Sequence, residues 1–237
     1  MRKKMFGAAF CLVMICTAGY AQNESYTETR TVGSFNAINV CCGTELCISE
    51  GNSSAVIVET NEEKYLPMVK TEVKEGELWI SIRVKSLFHN PGNMHVRVYV
   101  SANNLTAIKA SAGASVESAT PLSANEIEVS ADSGSGIELD LTAASLKCSS
   151  SSGSSIEIKG RAGYASVSAS TGSDIDMDKM ITGVATASAS TGSSIRLNVT
   201  DVLKAKASTG GDIAFKGNPK TIDDKESLGG EVRQLPN

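Results

Sequence analysis

The motif Ser188-Ala-Ser-Thr-Gly-Ser-Ser-Ile195 recurs, with variation, through the second half of the chain, and this repetition limits the possible folds more than any other feature. Upstream copies run from Lys109 to Val116, Ser130 to Ile137, Ser149 to Ile156 and Ser168 to Ile175. Downstream copies run from Lys206 to Ile213 and, degraded, from Lys225 to Val232. Their glycines, Gly113, Gly134, Gly153, Gly172, Gly192, Gly210 and Gly229, are spaced by 21, 19, 19, 20, 18 and 19 residues. A period near 20, kept through seven copies, means stacked repeats.

Around each glycine, alternate positions are apolar or small. Five before it stand Ile108, Val129, Cys148, Val167, Ala187 and Ala205. Three before it stand Ala110, Ala131, Ser150, Ala169, Ala189 and Ala207. Three after it stand Val116, Ile137, Ile156, Ile175, Ile195, Ile213 and Val232. Leu139, Ile158, Met177, Leu197 and Phe215 follow at five after. The positions between are mostly Ser, Asp, Glu, Lys or Arg. This is the period-2 alternation of strands, so each repeat predicts two short strands joined at a Ser/Thr-Gly turn. One repeat cannot bury its own apolar side. Stacked about 4.8 Å apart, successive repeats merge their inward columns into one core. The expected fold is all-β, a parallel β-helix or close solenoid relative of ~19-residue repeats. The leucine-rich alternative lacks its Leu-x-x-Leu-x-Leu and Asn columns. A thin solenoid core also explains why aromatics make up only 5% of the chain while Ser, Gly and Ala abound.

These repeats resemble the auto-transporter adhesin "head GIN" family. So do the entry segment Val32 to Val40, the stretch Val96 to Gly113 and Gly217-Asn-Pro-Lys220. The resemblance covers about Val32 to the C-terminus. It implies a right-handed β-helix-like fold similar to pectin lyases, an envelope or surface location and an adhesion role, and it carries no catalytic residues. Asn103-Asn104 departs from the family pattern, which has a proline before the leucine.

Residues 1–21 read as a signal peptide. Arg2-Lys3-Lys4 precedes an apolar run too short to span a bilayer, and Gly19-Tyr20-Ala21 forms a cleavage site. Acylation at Cys16 is disfavoured because Ile15 stands where a small residue is wanted. The expectation is export to the periplasm, the outer-membrane surface or the medium, with no transmembrane span in the mature chain. Residues 22–31 read as a polar leader, 32–104 as a β-rich cap segment, and 105–237 as solenoid repeats ending in a frayed or polar cap. Strand candidates in the cap are Phe35–Cys41, Glu45–Ser49, Ala55–Thr60, Val69–Lys74, Glu77–Val84 and Met94–Val100. Glu59 to Leu66 fits either a helical turn or a loop, and helix content elsewhere should be very low.

Export permits disulfides. A Cys41–Cys47 bridge around the Gly43-Thr-Glu turn is one reading, and buried free thiols are the other. A metal site built on Cys41, Cys42 and Cys47 fails because no histidine sits at zinc-site spacing. Cys148 shares a column with Val129 and Val167 and reads as a small core residue.

Two outward faces remain as sites. Before each glycine, Ser149/Ser151, Ser168/Ser170 and Ser188/Ser190 form a hydroxyl ladder suited to lie along a repeating ligand such as a glycan. After each glycine runs an acidic column. Glu138, Glu157, Asp174, Asp176 and Asp178 are candidate Ca²⁺ ligands, because adjacent acids repel and need cations. Lys159 and Arg196 are the alternative source of that charge. Glu157, Asp174, Asp176, Asp178 and Arg196 would also form the site of a calcium-assisted polysaccharide lyase-like enzyme. The net charge of −4 and the lack of a basic patch speak against nucleic acid. No Gly-x-Ser-x-Gly elbow, His-Glu-x-x-His or phosphate loop is present. The leading expectation is a non-enzymatic exported protein with no cofactor, whose partner is a surface glycan or an envelope protein; a passive envelope scaffold without a ligand is a further alternative.

Overall fold

The computed structural model describes residues 25–52, 55–83 and 93–236. The expected signal peptide lies outside them, as does Val84, the last residue of the strand candidate Glu77–Val84. The described chain is a parallel β-solenoid of about seven turns, with 17 strands in one continuous sheet.

Each coil has two arms. Strands β8 (Ala107–Ser111) and β9 (Ser115–Ser118) form one coil, and β10 (Leu122–Ala131) leads into the next. From there, single long strands run the whole way round: β11 (Gly136–Ser150), β12 (Ser155–Ala169), β13 (Asp174–Ser190) and β14 (Ser194–Ser208). Within β11 the buried positions are Ile137, Leu139, Leu141 and Ala143, then Leu146, Cys148 and Ser150. The parity switches between Ala143 and Leu146, so the strand bends there and presents its apolar side inward on both arms. The four inward columns read from the sequence are buried throughout the coils from Ile108 to Phe215. Each fully buried Ile or Leu contributes roughly 1.5–3 kcal/mol, so these columns dominate the stability.

The glycine turns share one geometry. In each, the glycine and its predecessor both have positive φ, from Ala112 (50°) and Gly113 (74°) through Leu228 (50°) and Gly229 (76°). Two consecutive left-handed residues make a type I′ turn. A Cβ on Gly153, Gly172 or Gly192 would meet nothing within 4 Å, so glycine is there for its φ and not for space. The turns also stack. From Gly113 to Gly210, each turn glycine N–H donates to the carbonyl of the left-handed residue one coil on, as in Gly134 to Ser152 and Gly153 to Thr171, both at 3.1 Å.

The N-terminal end is closed by antiparallel pairing. Strand β1 (Tyr26–Thr31) pairs with β4 (Ala55–Thr60), and β4 pairs with β7 (Val96–Ala102). On the other arm β5 (Val69–Lys74) pairs with β6 (Glu77–Ile82). The segment read as a polar leader therefore contains a strand. Its burial is slight, and it is held instead by Arg30, which donates to the carbonyls of Val69 at 2.6 Å and Leu66 at 2.8 Å. The open choice at Glu59 to Leu66 resolves as a 3-10 helix over Glu63–Met68, with Tyr65 buried beneath it.

Strands β2 (Ala37–Cys41) and β3 (Glu45–Glu50) form a coil inserted between this cap and β8–β9. Strand β2 lies between β6 and β8, and β3 between β7 and β9. Their turn at Cys42 (69°) and Gly43 (70°) is an eighth copy of the repeat turn. At the other end, β15 (Asp212–Lys216), β16 (Thr221–Ser227) and β17 (Glu231–Gln234) complete the stack. Every residue of β16 is exposed, yet β16 pairs in register with β14 and β17 with β15. The last coil is thus an ordered polar layer and is not frayed.

Candidate functional site

The first face lies outside the arm before each glycine. Strand register aligns Trp79, Asn39, Lys109, Ser130, Ser149, Ser168, Ser188 and Lys206 in one outward column. Of the predicted serines, Ser168 and Ser188 are exposed, and Ser149, Ser151, Ser170 and Ser190 are half-buried on the same side. The hydroxyls contact one another along the stack. Ser149 Oγ donates to Ser130 Oγ at 3.2 Å, and Ser151 Oγ to Asp132 Oδ1 at 3.0 Å. The Ser152 and Ser151 hydroxyls hold the Asp132 carboxyl below its ordinary range. Charge at the rim is partly paired, as in Lys147–Glu128 at 2.8 Å and Lys109–Glu77 at 3.1 Å. Trp79 is 42% exposed, next to Asn39 on one side and Glu72 on the other. In the sequence Trp79 falls within the strand candidate Glu77–Val84 of the cap. The alternation of β6 marked it as outward, since Leu78 and Ile80 are the buried pair.

The second face lies outside the arm after each glycine, where a groove of about 750 Å³ runs across several coils. Glu117, Glu138, Glu157, Asp176 and Arg196 line it in register. The five acids considered for calcium are not gathered into a site. Among the described residues, no three His, Cys, Asp or Glu side chains converge to hold a metal. The acids are spread along the stack, and lysine and arginine side chains reach in between them. Glu157 pairs with Lys179 at 2.8 Å, Asp176 with Arg196 at 3.2 Å and Asp178 with Lys216 at 2.8 Å, while Lys159 stands 3.9 Å from Asp140. The Asp178 N–H donates to Asp176 Oδ1 at 3.0 Å, and the Lys216 ammonium holds the Asp178 carboxyl below its ordinary range. Of the two cations expected from sequence, Arg196 binds an acid of the column itself. Lys179 and Lys216 were missed. Lys179 sits in a β-bulge of β13, where the register with β12 slips between Glu157 and Gly160. The visible trace of that bulge is the 20-residue spacing from Gly172 to Gly192.

The cysteines require a correction. No disulfide joins Cys41 and Cys47, because the turn between them sends their side chains to opposite faces. Cys41 is in register with Ser111 on the hydroxyl side, and Cys47 with Glu117 on the acidic side. Cys148 is buried in its column, and burial pushes its thiol up to about 12.

A third set of residues is structural and was not recognised from sequence. Ser135, Ser154, Ser173 and Ser193, each directly after a turn glycine, are buried. Ser173 Oγ donates to the Ser150 carbonyl of the previous coil at 2.8 Å and accepts from Ser170 N–H at 3.2 Å. Ser193 does the same with Ala169 and Ser190. The signal was available, since a residue one after the glycine shares the inward parity of the residues three and five after it. In later coils this position is glycine. A Cβ at Gly211 would lie 2.4 Å from the Ala189 carbonyl oxygen, so no side chain fits.

Residues 34–219 match the family described as "putative auto-transporter adhesin, head GIN domain". The chain belongs to that head GIN family. Its fold is shared by solved structures of similar size. A "putative adhesin" from Bacteroides fragilis superposes with a TM-score of 0.78 at 17% identity, covering 90% of this chain and 98% of that one. A "putative adhesin" from Parabacteroides merdae gives 0.70 at 20% identity, with coverage of 90% and 97%. A "putative lipid binding protein" from Parabacteroides distasonis gives 0.71 at 17% identity, with the same coverage. Among functionally curated proteins none matches the chain. At these identities the likeness carries the head GIN fold and not a ligand.

Proposed function

We propose that this head GIN protein is an exported, non-enzymatic surface-binding protein that lays its hydroxyl face along an uncharged glycan. The observation carrying this reading is the outward column of Trp79, Asn39, Lys109 and four serines in register. A half-exposed indole offers an apolar face to the C–H side of a sugar ring, and its neighbours offer hydrogen-bond donors and acceptors to the hydroxyls. Trp79 stands three strand spacings, roughly 14 Å, from Ser130, so an extended chain of several sugars is needed to reach both. The family's adhesin description and the expected signal peptide support export and a surface role. That Glu157, Asp176 and Asp178 each pair with a cation of the protein itself supports the non-enzymatic reading over a lyase-like one.

Trp79 is the only tryptophan, so its fluorescence reports directly on this face. Titration with a panel of neutral oligosaccharides should change its emission saturably. Trp79→Ala should weaken retention on the same immobilised glycan by tenfold or more, about 1.4 kcal/mol. A panel without response, together with unchanged adherence of protein-coated beads after Ser149→Val, Ser168→Val and Ser188→Val, would remove the glycan reading. Turnover of a polysaccharide would remove the non-enzymatic one.

A further inference from the structure

The first turn of the ladder differs from the other seven in one respect. The two positions before the glycine are Ser111-Ala112, Asp132-Ser133, Ser151-Ser152, Ser170-Thr171, Ser190-Thr191, Ser208-Thr209 and Ser227-Leu228 in the repeats, and Cys41-Cys42 here. Their sulfurs lie 2.7 Å apart. A disulfide is about 2.05 Å long, so the sulfurs are near bonding distance, and the bond between adjacent residues closes a strained ring, which makes it readily reducible. The backbone that brings them together is fixed by its neighbours. Cys42 has the left-handed φ common to all the turns, and Gly43 N–H donates to the Ala112 carbonyl at 3.1 Å. Below the turn, buried Thr44 donates its hydroxyl to the Cys41 carbonyl at 3.0 Å. Cys42 is exposed and Cys41 half-buried, so an oxidant reaches the pair from solvent.

We propose that Cys41 and Cys42 form a redox-modifiable vicinal dithiol, which small-molecule disulfides oxidise to a disulfide between adjacent residues. The Cys42 thiolate attacks one sulfur of the external disulfide, forms a mixed disulfide and expels one thiolate. Cys41 then loses its proton, attacks the Cys42 sulfur and expels the second thiolate. Two S–H bonds are lost and one S–S bond is made, and the external disulfide takes up the two electrons as two thiols. Burial, with Cys42 beside it, pushes the Cys41 thiol up to about 12, so its thiolate fraction, and with it the reaction of the pair, rises with pH. Closure locks both side chains at the coil that lies between the antiparallel cap and the repeats. Cys47 takes no part, because it faces the other side. This inference is independent of the ligand.

The test uses the purified protein, reduced, desalted and incubated with glutathione disulfide, then alkylated and digested with trypsin. Peptide 31–64 carries Cys41, Cys42 and Cys47 and excludes every other cysteine. The expected product has lost two hydrogens, carries alkyl only on Cys47, and recovers all three sites after dithiothreitol. Cys47→Ser should leave that loss intact, and Cys42→Ser should abolish it. Serine is tolerated at this place in the repeat turns, so Cys42→Ser should keep the fold, and circular dichroism checks that it does. Full alkylation at all three cysteines, a bridge that includes Cys47, or loss of two hydrogens in Cys42→Ser would each overturn the proposal.

Discussion

Gly172 donates its backbone N–H to the carbonyl of Thr191, one coil further on, at 3.0 Å. The bond exists because both turns hold left-handed residues, Gly172 at 66° and Thr191 at 55°. Gly172→Ala adds a methyl group that touches nothing within 4 Å, so its cost is conformational, about 1–2 kcal/mol. The thermal midpoint should fall by several degrees. Thr171→Gly, at a φ of 55°, should leave stability within about 0.5 kcal/mol, because the relief of strain and the added chain entropy offset each other. Paired denaturant melts compare the two variants.

Ser173→Ala tests the buried serine column. It removes the donor to the Ser150 carbonyl and one acceptor of Ser170 N–H, two groups that keep their 3.0 Å bond to each other. The expected loss is therefore that of a hydrogen bond in a satisfied site, about 1 kcal/mol. Ser170→Ala, on the outward side of the same turn, should stay within about 0.5 kcal/mol. Equal effects from the two variants would contradict the stapling role.

Asp178 should titrate below an ordinary aspartate because the Lys216 ammonium favours its charged form. A depressed folded pKa contributes stability that is complete above the unfolded value. It is lost as pH falls through the folded one, so the effect belongs to the acid limb below about pH 4. In Lys216→Met the Asp178 pKa, followed by NMR titration, should move up toward the ordinary value. Stability should lose its dependence on this group in that acid window. A pKa that does not move would mean that the ion pair does not persist in solution.

Asp224 and Glu226 occupy the last places of columns that elsewhere hold Val129, Val167 and Ala205, or Ala131, Ala169 and Ala207. They place charge on the inward side of an uncovered final coil, which discourages edge-to-edge pairing. Asp224→Ala with Glu226→Ala should therefore produce concentration-dependent self-association, visible by sedimentation velocity, without changing the circular dichroism of the monomer. A double variant that stays monomeric at every concentration would show that the strand edges themselves, and not these charges, prevent pairing.

What was legible in the sequence follows from repetition. Ile195 stands in one column with Ile137, Ile156 and Ile175, and a column repeated at a fixed period fixes both the strand and its inward side. Features that break the period were hidden. Lys179 reaches Glu157 only because a bulge shifts the register of β13. The Cys42-Gly43 turn lies 70 residues before Gly113, since β4 to β7 intervene in the chain though not in the stack, so it went uncounted. Cys41 and Cys47 are drawn toward each other by the reversal between them, but the same reversal turns their side chains to opposite faces, which only the strand register reveals. Strand β1 shows no alternation because it buries little and is anchored through Arg30. The hydroxyl face was readable as a pattern. Its extension to Trp79 needed the register between β2 and β6.

The coil made of β2 and β3 precedes both of its neighbours in the chain, since β6 and β7 flank it on one side and β8 and β9 on the other. During synthesis, residues 37–50 therefore emerge before β6 and β7, their first partners, and must wait for complete pairing until residue 118, the end of β9, has followed. That wait makes closure around this coil the long-range, slow event of folding. Every later coil then lays itself on a finished template only one period behind. Folding should consist of one slow closure and then a fast run toward the C-terminus, so the early coil acts as a keystone set before its arch is built.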